Sequence, residues 1–178
     1  MRIITLSSLA LLLSCGPTTP TKSAVGGEMT ATLHDNTSNA GITDFTAKAI
    51  SGNVTAANSN EPDGATRIVG DDGEGGQSCR QVLITLSGKA QSGKTYQLVP
   101  VGDPLTPDQG RMWFQSGTGC EPQNGQWHAE TGTVTVNDVA GQRVSASFNG
   151  NMQATVNTSA TGGFRLEGNV VVDKVVNF

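Results

Sequence analysis

Residues 133–172 read TVTVNDVAGQRVSASFNGNMQATVNTSATGGFRLEGNVVV. Apolar residues recur there at every second position: Val134/Val136, Val144/Ala146/Phe148, Met152/Ala154/Val156 and Phe164/Leu166/Val170/Val172. Thr, Ser, Asn, Gln and Arg fill most of the places between. A period of two sends alternate side chains to opposite faces of a strand, so each segment has one apolar and one polar face, as an antiparallel sheet covered on one side requires. Paired residues must share a face, which lets the register be tested. Matching Val136 with Val144 and Val134 with Ala146 leaves Val139-Ala140-Gly141 as a three-residue loop, with glycine where a left-handed residue is needed. A two-residue turn at Asn149-Gly150 would set Met152 opposite Ser147 and mix the faces. A loop of Asn149-Gly150-Asn151 instead pairs Phe148 with Met152, Ala146 with Ala154 and Val144 with Val156. Val156 then meets Phe164 across residues 159–161. This predicts a four-stranded C-terminal meander over about 133–174, with Val170 and Val172 running past it to another partner.

Working outward, the same period continues toward the N-terminus in looser form. Strands are expected at 29–34, 44–51, 66–69, 80–87, 95–101, 112–115 and about 126–130, with the polar, Gly-rich stretches 58–65 and 70–78 as loops. No stretch carries a convincing helical period. Ten or eleven short strands predict an all-β fold, either an antiparallel β-sandwich or a partly closed β-barrel.

The first fifteen residues, MRIITLSSLALLLSC, obey a different logic. One positive charge at Arg2 precedes an apolar run through Leu13, a length that suits a signal peptide and is about half of what a spanning helix needs. Leu12-Leu13-Ser14-Cys15 resembles the lipobox of bacterial lipoproteins. The resemblance implies cleavage after Ser14, a diacylglyceryl group on the sulfur of Cys15 and a further acyl chain on its amine; two or three chains hold a membrane durably. Gly16, in place of an aspartate retention signal, implies outer-membrane rather than inner-membrane sorting, facing periplasm or cell surface. The expected organisation is therefore a signal peptide at 1–14, a lipid-anchored Pro/Thr/Gly tether at 15–27 and a single all-β domain at 28–178. The run GTVTV, V-x-A-x-F and GGF-x-L-x-G in the last fifty residues also resembles the closing hairpins of small bacterial lipoproteins of unknown function, which implies a fold type and no activity.

Without Arg2 the chain keeps 10 of its 11 basic residues against 15 acidic ones. No basic stripe is present, so the electrostatic footprint of nucleic acid binding is missing. Cys79 and Cys120 form an even pair in an exported chain, which predicts a disulfide stabilising the fold by about 4 kcal/mol on the chain-entropy model. His34 and His128 show no ligand spacing with them.

Four features could carry chemistry. Gly88-Lys89-Ala90-Gln91-Ser92-Gly93-Lys94-Thr95 fits the phosphate-loop pattern at every required position. That pattern needs a helix directly after it to present N–H groups to phosphate, whereas Tyr96-Gln97-Leu98-Val99-Pro100 alternates like a strand; a hairpin turn and no nucleotide are expected. Asp71, Asp72 and Glu74 could gather around calcium, but their spacing misses the calcium-loop pattern and no metal is expected. Trp113, Phe114, Trp127 and His128 flank Cys120 in a chain with only two Trp, one Tyr and five Phe; such residues more often pack as core around a disulfide, while exposed, Trp113, Trp127 and His128 could stack on a sugar or grip a small ligand. The pairs His128/Glu130 and His34/Asp35 could serve as acid–base dyads, and an enzyme would show one of these histidines within hydrogen-bond reach of a carboxylate in a cleft. Val170, Val172, Val176 and Phe178 echo the ending of outer-membrane barrels, but Lys174 interrupts them and aromatic girdles are lacking. The leading expectation is a membrane-anchored lipoprotein that binds without catalysis or contacts an envelope protein, needing no cofactor. A small-ligand or carbohydrate binder at Trp113/Trp127 and an exported hydrolase are the alternatives.

Overall fold

Buried and exposed positions alternate through β9 (Arg143–Ala154), where Val144, Ala146, Phe148, Gly150 and Met152 all turn inward. The computed structural model describes residues 26–38, 42–47, 49–55, 64–73, 80–102, 104–116, 125–156 and 158–177. Among these, the other strands are β1 (Gly27–His34), β2 (Phe45–Thr46), β3 (Ala49–Val54), β4 (Thr66–Asp71), β5 (Arg80–Leu86), β6 (Thr95–Leu98), β7 (Gln109–Ser116), β8 (Gly125–Ala140), β10 (Gly163–Val172) and β11 (Val175–Val176). The fold is all-β, as its period of two demands.

The strands join in one sheet, in the order β11-β3-β4-β5-β7-β6-β8-β9-β10-β1-β2, curled strongly into a half-barrel. The sheet is mixed and not purely antiparallel, because β6 runs parallel to β7 and β11 runs parallel to β3. The long strand β8 serves two neighbours in turn. Its first residues pair with β7, from Ser116↔Gly125 to Trp113↔His128, and its middle pairs with β6 at Thr95↔Thr135.

The curl gathers one apolar face around a shared core. Phe114 stands edge-on to Phe45, Trp127 and Phe164, with ring centroids 6.2, 6.1 and 5.5 Å away. Met29, Ile68, Ile84, Met112, Met152 and Leu166 fill the space around them. Each such side chain contributes roughly 1.5–3 kcal/mol by leaving water. Gly70 of β4 lies directly against the thioether of Met29 on β1, so strands far apart in the sheet order face each other across the core. Arg80 ties the entry to β2 onto this body. Its backbone N–H and its guanidinium both reach Asp72 at 2.6 Å, and the guanidinium also donates to the carbonyls of Thr43 and Asp44.

The C-terminal strands differ from the expected meander. Residues 149–151 do not turn: β9 runs straight through them, with Asn149, Gly150 and Asn151 opposite Glu167, Leu166 and Arg165. Three long strands, β8, β9 and β10, therefore stand where four were expected. Val136 faces Ala146, and Val144 faces Val139, because the extra residue Asn137 makes a bulge between Val136 and Asp138. The turn is Gly141-Gln142, with Gly141 at φ +61°, the first central position of a tight hairpin turn that favours glycine. Phe164 pairs with Met152, while Val156 sits 82% exposed beyond the strand end. Val170 and Val172 do not outrun β9, since they pair with Ala146 and Val144 on one side and with β1 on the other.

Candidate functional site

Strands β7 and β8 decide the fate of the aromatic group. In their register Phe114 opposes Trp127 and Trp113 opposes His128, so one pair points into the core and the other outward. Trp127 is fully buried, packed on Phe114 and Phe164. It is a core residue, the packing role weighed against ligand binding in the sequence, and its burial takes it out of the ligand-binding group. Trp113 and His128 remain together on the outer face, partly exposed, with ring centroids 5.7 Å apart.

His128 is held from both ring nitrogens: Nε2 lies 2.7 Å from Glu130 Oε1 and Nδ1 lies 3.1 Å from Thr155 Oγ1. His128 and Glu130 share the outer face because they are two residues apart on β8, and the register shifts just beyond, between Ala129 and Thr131. In the neutral tautomer that fits both contacts, Nε2–H donates to Glu130 and the Thr155 hydroxyl donates to Nδ1. Hydroxyl, imidazole and carboxylate thus stand in the order that acyl-transfer enzymes use. The backbone N–H of Thr155 itself is not available to stabilise an anion, because it donates to the carbonyl of Gln126 at 2.8 Å. The other histidine, His34, lies 3.9 Å from Glu167, across the sheet from this cluster.

The remaining candidates are committed elsewhere. Asp71 caps the N–H of Gly73 at 2.8 Å, and Asp72 is spent on Arg80. Glu74, Cys15, Cys79 and Cys120 lie outside the described residues. The phosphate-loop match leads into strand β6, with no helix behind it. Three of its amides are taken: Gly93 N–H donates to Val136 and Lys94 N–H to Gln91, while Ala90 N–H donates to the Thr66 hydroxyl. Lys94 Nζ pairs with Asp108 at 2.6 Å and lies 5.0 Å above the Tyr96 ring. The Asp108 hydrogen bond raises the Lys94 pKa, and burial raises that of the Tyr96 phenol.

A surface not singled out from the sequence lies on the outer face of β8, β9, β10 and β1. Cross-strand register aligns two rows there, Thr133–Asn149–Glu167–Thr32 and Thr135–Ser147–Asn169–Thr30. Neighbouring strands are about 4.8 Å apart and alternate residues about 6.6 Å apart, so the rows form a regular lattice. Recesses of 330 and 230 Å³ lie over it and share Glu167, Gly168 and Asn169, which makes them one trough crossing four strands. Its signal was present in the sequence as the polar positions of the same alternation. What periodicity lacked was the register that lines them up.

Known protein families, characterised proteins and solved structures offer no match to this chain. What the fold defines is a class: an all-β half-barrel with a polar trough and a histidine cluster on its outer face.

Proposed function

We propose that the protein is a lipid-anchored lipoprotein of the bacterial envelope whose β domain binds a polar ligand without acting on it chemically. The trough carries this reading. Thr30, Thr32, Asn149 and Asn169 hold their side chains there on rigid strands, and none makes a side-chain hydrogen bond to any described residue. Exposed donors and acceptors carried on paired strands and not committed to another described side chain or backbone group are open to a ligand. The leader supplies the address, with the lipid on Cys15 holding the domain to the outer membrane. The reading includes a Cys79–Cys120 disulfide; what supports it is that Arg80, the residue after Cys79 in the chain, is paired with Ser116, four positions before Cys120.

Growth with labelled palmitate tests the anchor: wild type takes up label and Cys15→Ala does not. Equal labelling of both refutes the address. Thiol alkylation of the same material before and after reduction reports on the disulfide, with two thiols expected to appear only after reduction.

A second reading, an exported hydrolase, is favoured by the Thr155–His128–Glu130 alignment alone. It requires turnover of an activated ester such as p-nitrophenyl acetate that falls at least a hundredfold in both His128→Gln and Thr155→Val. The binding reading expects no such loss.

A further inference from the structure

We infer that the trough takes a neutral, hydroxyl-rich glycan chain lying across β8, β9, β10 and β1. The inference rests on the reading of the trough as a ligand site and goes on to name what fills it. Charge excludes most other occupants. Glu167 is the single carboxylate of the lining, and it is already shared with Arg165 at 3.7 Å and His34 at 3.9 Å. One shared carboxylate is too little for a metal ion, which seeks six or more oxygens when it is calcium. An anionic chain or nucleic acid would find no basic row in this lining. A protein partner would need apolar anchors at the centre of the patch. The exposed large apolar side chains among the described residues are Val101, Val156 and Val176, and none of them lines the trough.

The lining does match the chemistry of a sugar. Each asparagine amide offers donors and an acceptor side by side, and each threonine hydroxyl can do either. A pair of neighbouring sugar hydroxyls presents the same combination. Each of the four strands offers a polar side chain to either row, and one strand spacing is close to the length of a sugar ring, so successive units of one chain can each meet a hydrogen-bonding group. Strand spacing makes the trough about 14 Å from β8 to β1, room for a short oligosaccharide.

The experiment uses the full-length lipidated protein in phosphatidylcholine vesicles on a biosensor surface. The probes are cellohexaose, hexa-N-acetylchitohexaose and maltohexaose as neutral chains, and hexagalacturonate as an acidic one. At least one neutral hexasaccharide should bind saturably. The double variant Asn149→Ala/Asn169→Ala should weaken it about tenfold or more, since each neutral hydrogen bond is worth a factor of roughly 3–10. Thr32→Val, which keeps shape and removes only the hydroxyl, should weaken it about threefold, while Trp113→Ala on the other part of the outer face leaves it within twofold. Unchanged thermal unfolding of the exposed-site variants shows that the fold is intact. If hexagalacturonate binds in a manner sensitive to the trough variants and the neutral chains do not, the glycan class is overturned and the trough survives as a ligand site. If no probe responds to the trough variants, both inferences fall. Neutral binding lost in Trp113→Ala alone moves the site to the histidine cluster and overturns the trough.

Discussion

Two adjacent aromatics show how much one position along a strand decides. Trp113 and Trp127 belong to paired strands, yet one is partly in water and the other is sealed in the core. Trp127→Ala should therefore cost about 3–5 kcal/mol in urea unfolding, the range for emptying a large aromatic site, while Trp113→Ala stays below about 1.5 kcal/mol. Acrylamide should quench the fluorescence of Trp127→Phe, which retains Trp113, far more readily than that of Trp113→Phe. The sequence carried the grouping but not the facing, because residues 126–130 read as an isolated strand whose partner could not be named. The titrating pair Lys94 and Tyr96 gives a second residue-scale expectation. Both hold their protons above their ordinary values of 10.5 and 10.0, Lys94 chiefly through Asp108 and Tyr96 chiefly through burial. The folded protein thus binds these protons more tightly than the unfolded chain. Their contribution is complete below about pH 10 and is lost as pH climbs through the raised values. The urea midpoint should drop above about pH 10, and Asp108→Asn should shrink that pH-dependent drop while leaving its own small loss at neutral pH. An alkaline limb of the same size in Asp108→Asn would show that the pair does not set it.

At the scale of elements, alternation makes the long strands legible, although 44–51 read as one strand where β2 and β3 stand, and glycine is what misleads. Asn149-Gly150 has the composition of a turn, but Gly150 is small because the side chains of Met112, Leu98 and Ala129 crowd the place where its Cβ would be. A turn glycine and a packing glycine look alike until the neighbouring strands are known. The bulges at Glu130 and Asn137 were invisible for a related reason: each adds one residue to β8 and flips the facing of the residues beyond it, which shifts register by an amount no single strand reveals. Gly141 and Gly168 separate the two roles experimentally. Gly141→Asn keeps a residue that tolerates positive φ and should cost well under 1 kcal/mol, whereas Gly141→Val should cost about 1–2 kcal/mol. Gly168→Ala has ordinary φ and meets the Thr30 carbonyl and Phe148 instead, so its cost of about 2–3 kcal/mol should come with loosened β1–β10 pairing. Amide exchange at β1 in Gly168→Ala that matches wild type would contradict this account.

At the scale of the whole molecule, a curled sheet must keep its far strands against the rest, and this one does so with its last described residues. After β10 the chain takes two residues to reach β11, which pairs parallel with β3 through Val175↔Gly52. Val175 is fully buried, its N–H donates to the carbonyl of Gln142, and Val172 and Val175 both lie over the bare backbone of Gly52. One short strand thus links the β8–β9 turn, the end of β10 and the outlying strand β3. It also shields the β3 edge, which would otherwise present an unpaired row of backbone groups. Alternation placed Val172 beyond its neighbours and left its partner open; no local pattern in two residues such as Val175-Val176 could identify a parallel contact with a strand so much earlier in the chain. The contact predicts where the fold yields first. Val175→Ala removes buried apolar volume and should destabilise by about 2 kcal/mol, the cost of a small cavity with its lost transfer energy. The loss should be unequal across the sheet. Amides of β3 and β4 should exchange faster by an order of magnitude or more, while those of β8, β9 and β10, which pair with one another at length, keep nearly wild-type protection under native conditions. The trough, built on β8, β9, β10 and β1, should then bind its ligand with unchanged affinity in Val175→Ala. Uniform acceleration across all the described strands would show instead that the half-barrel opens as one unit, with β11 holding no particular part of it.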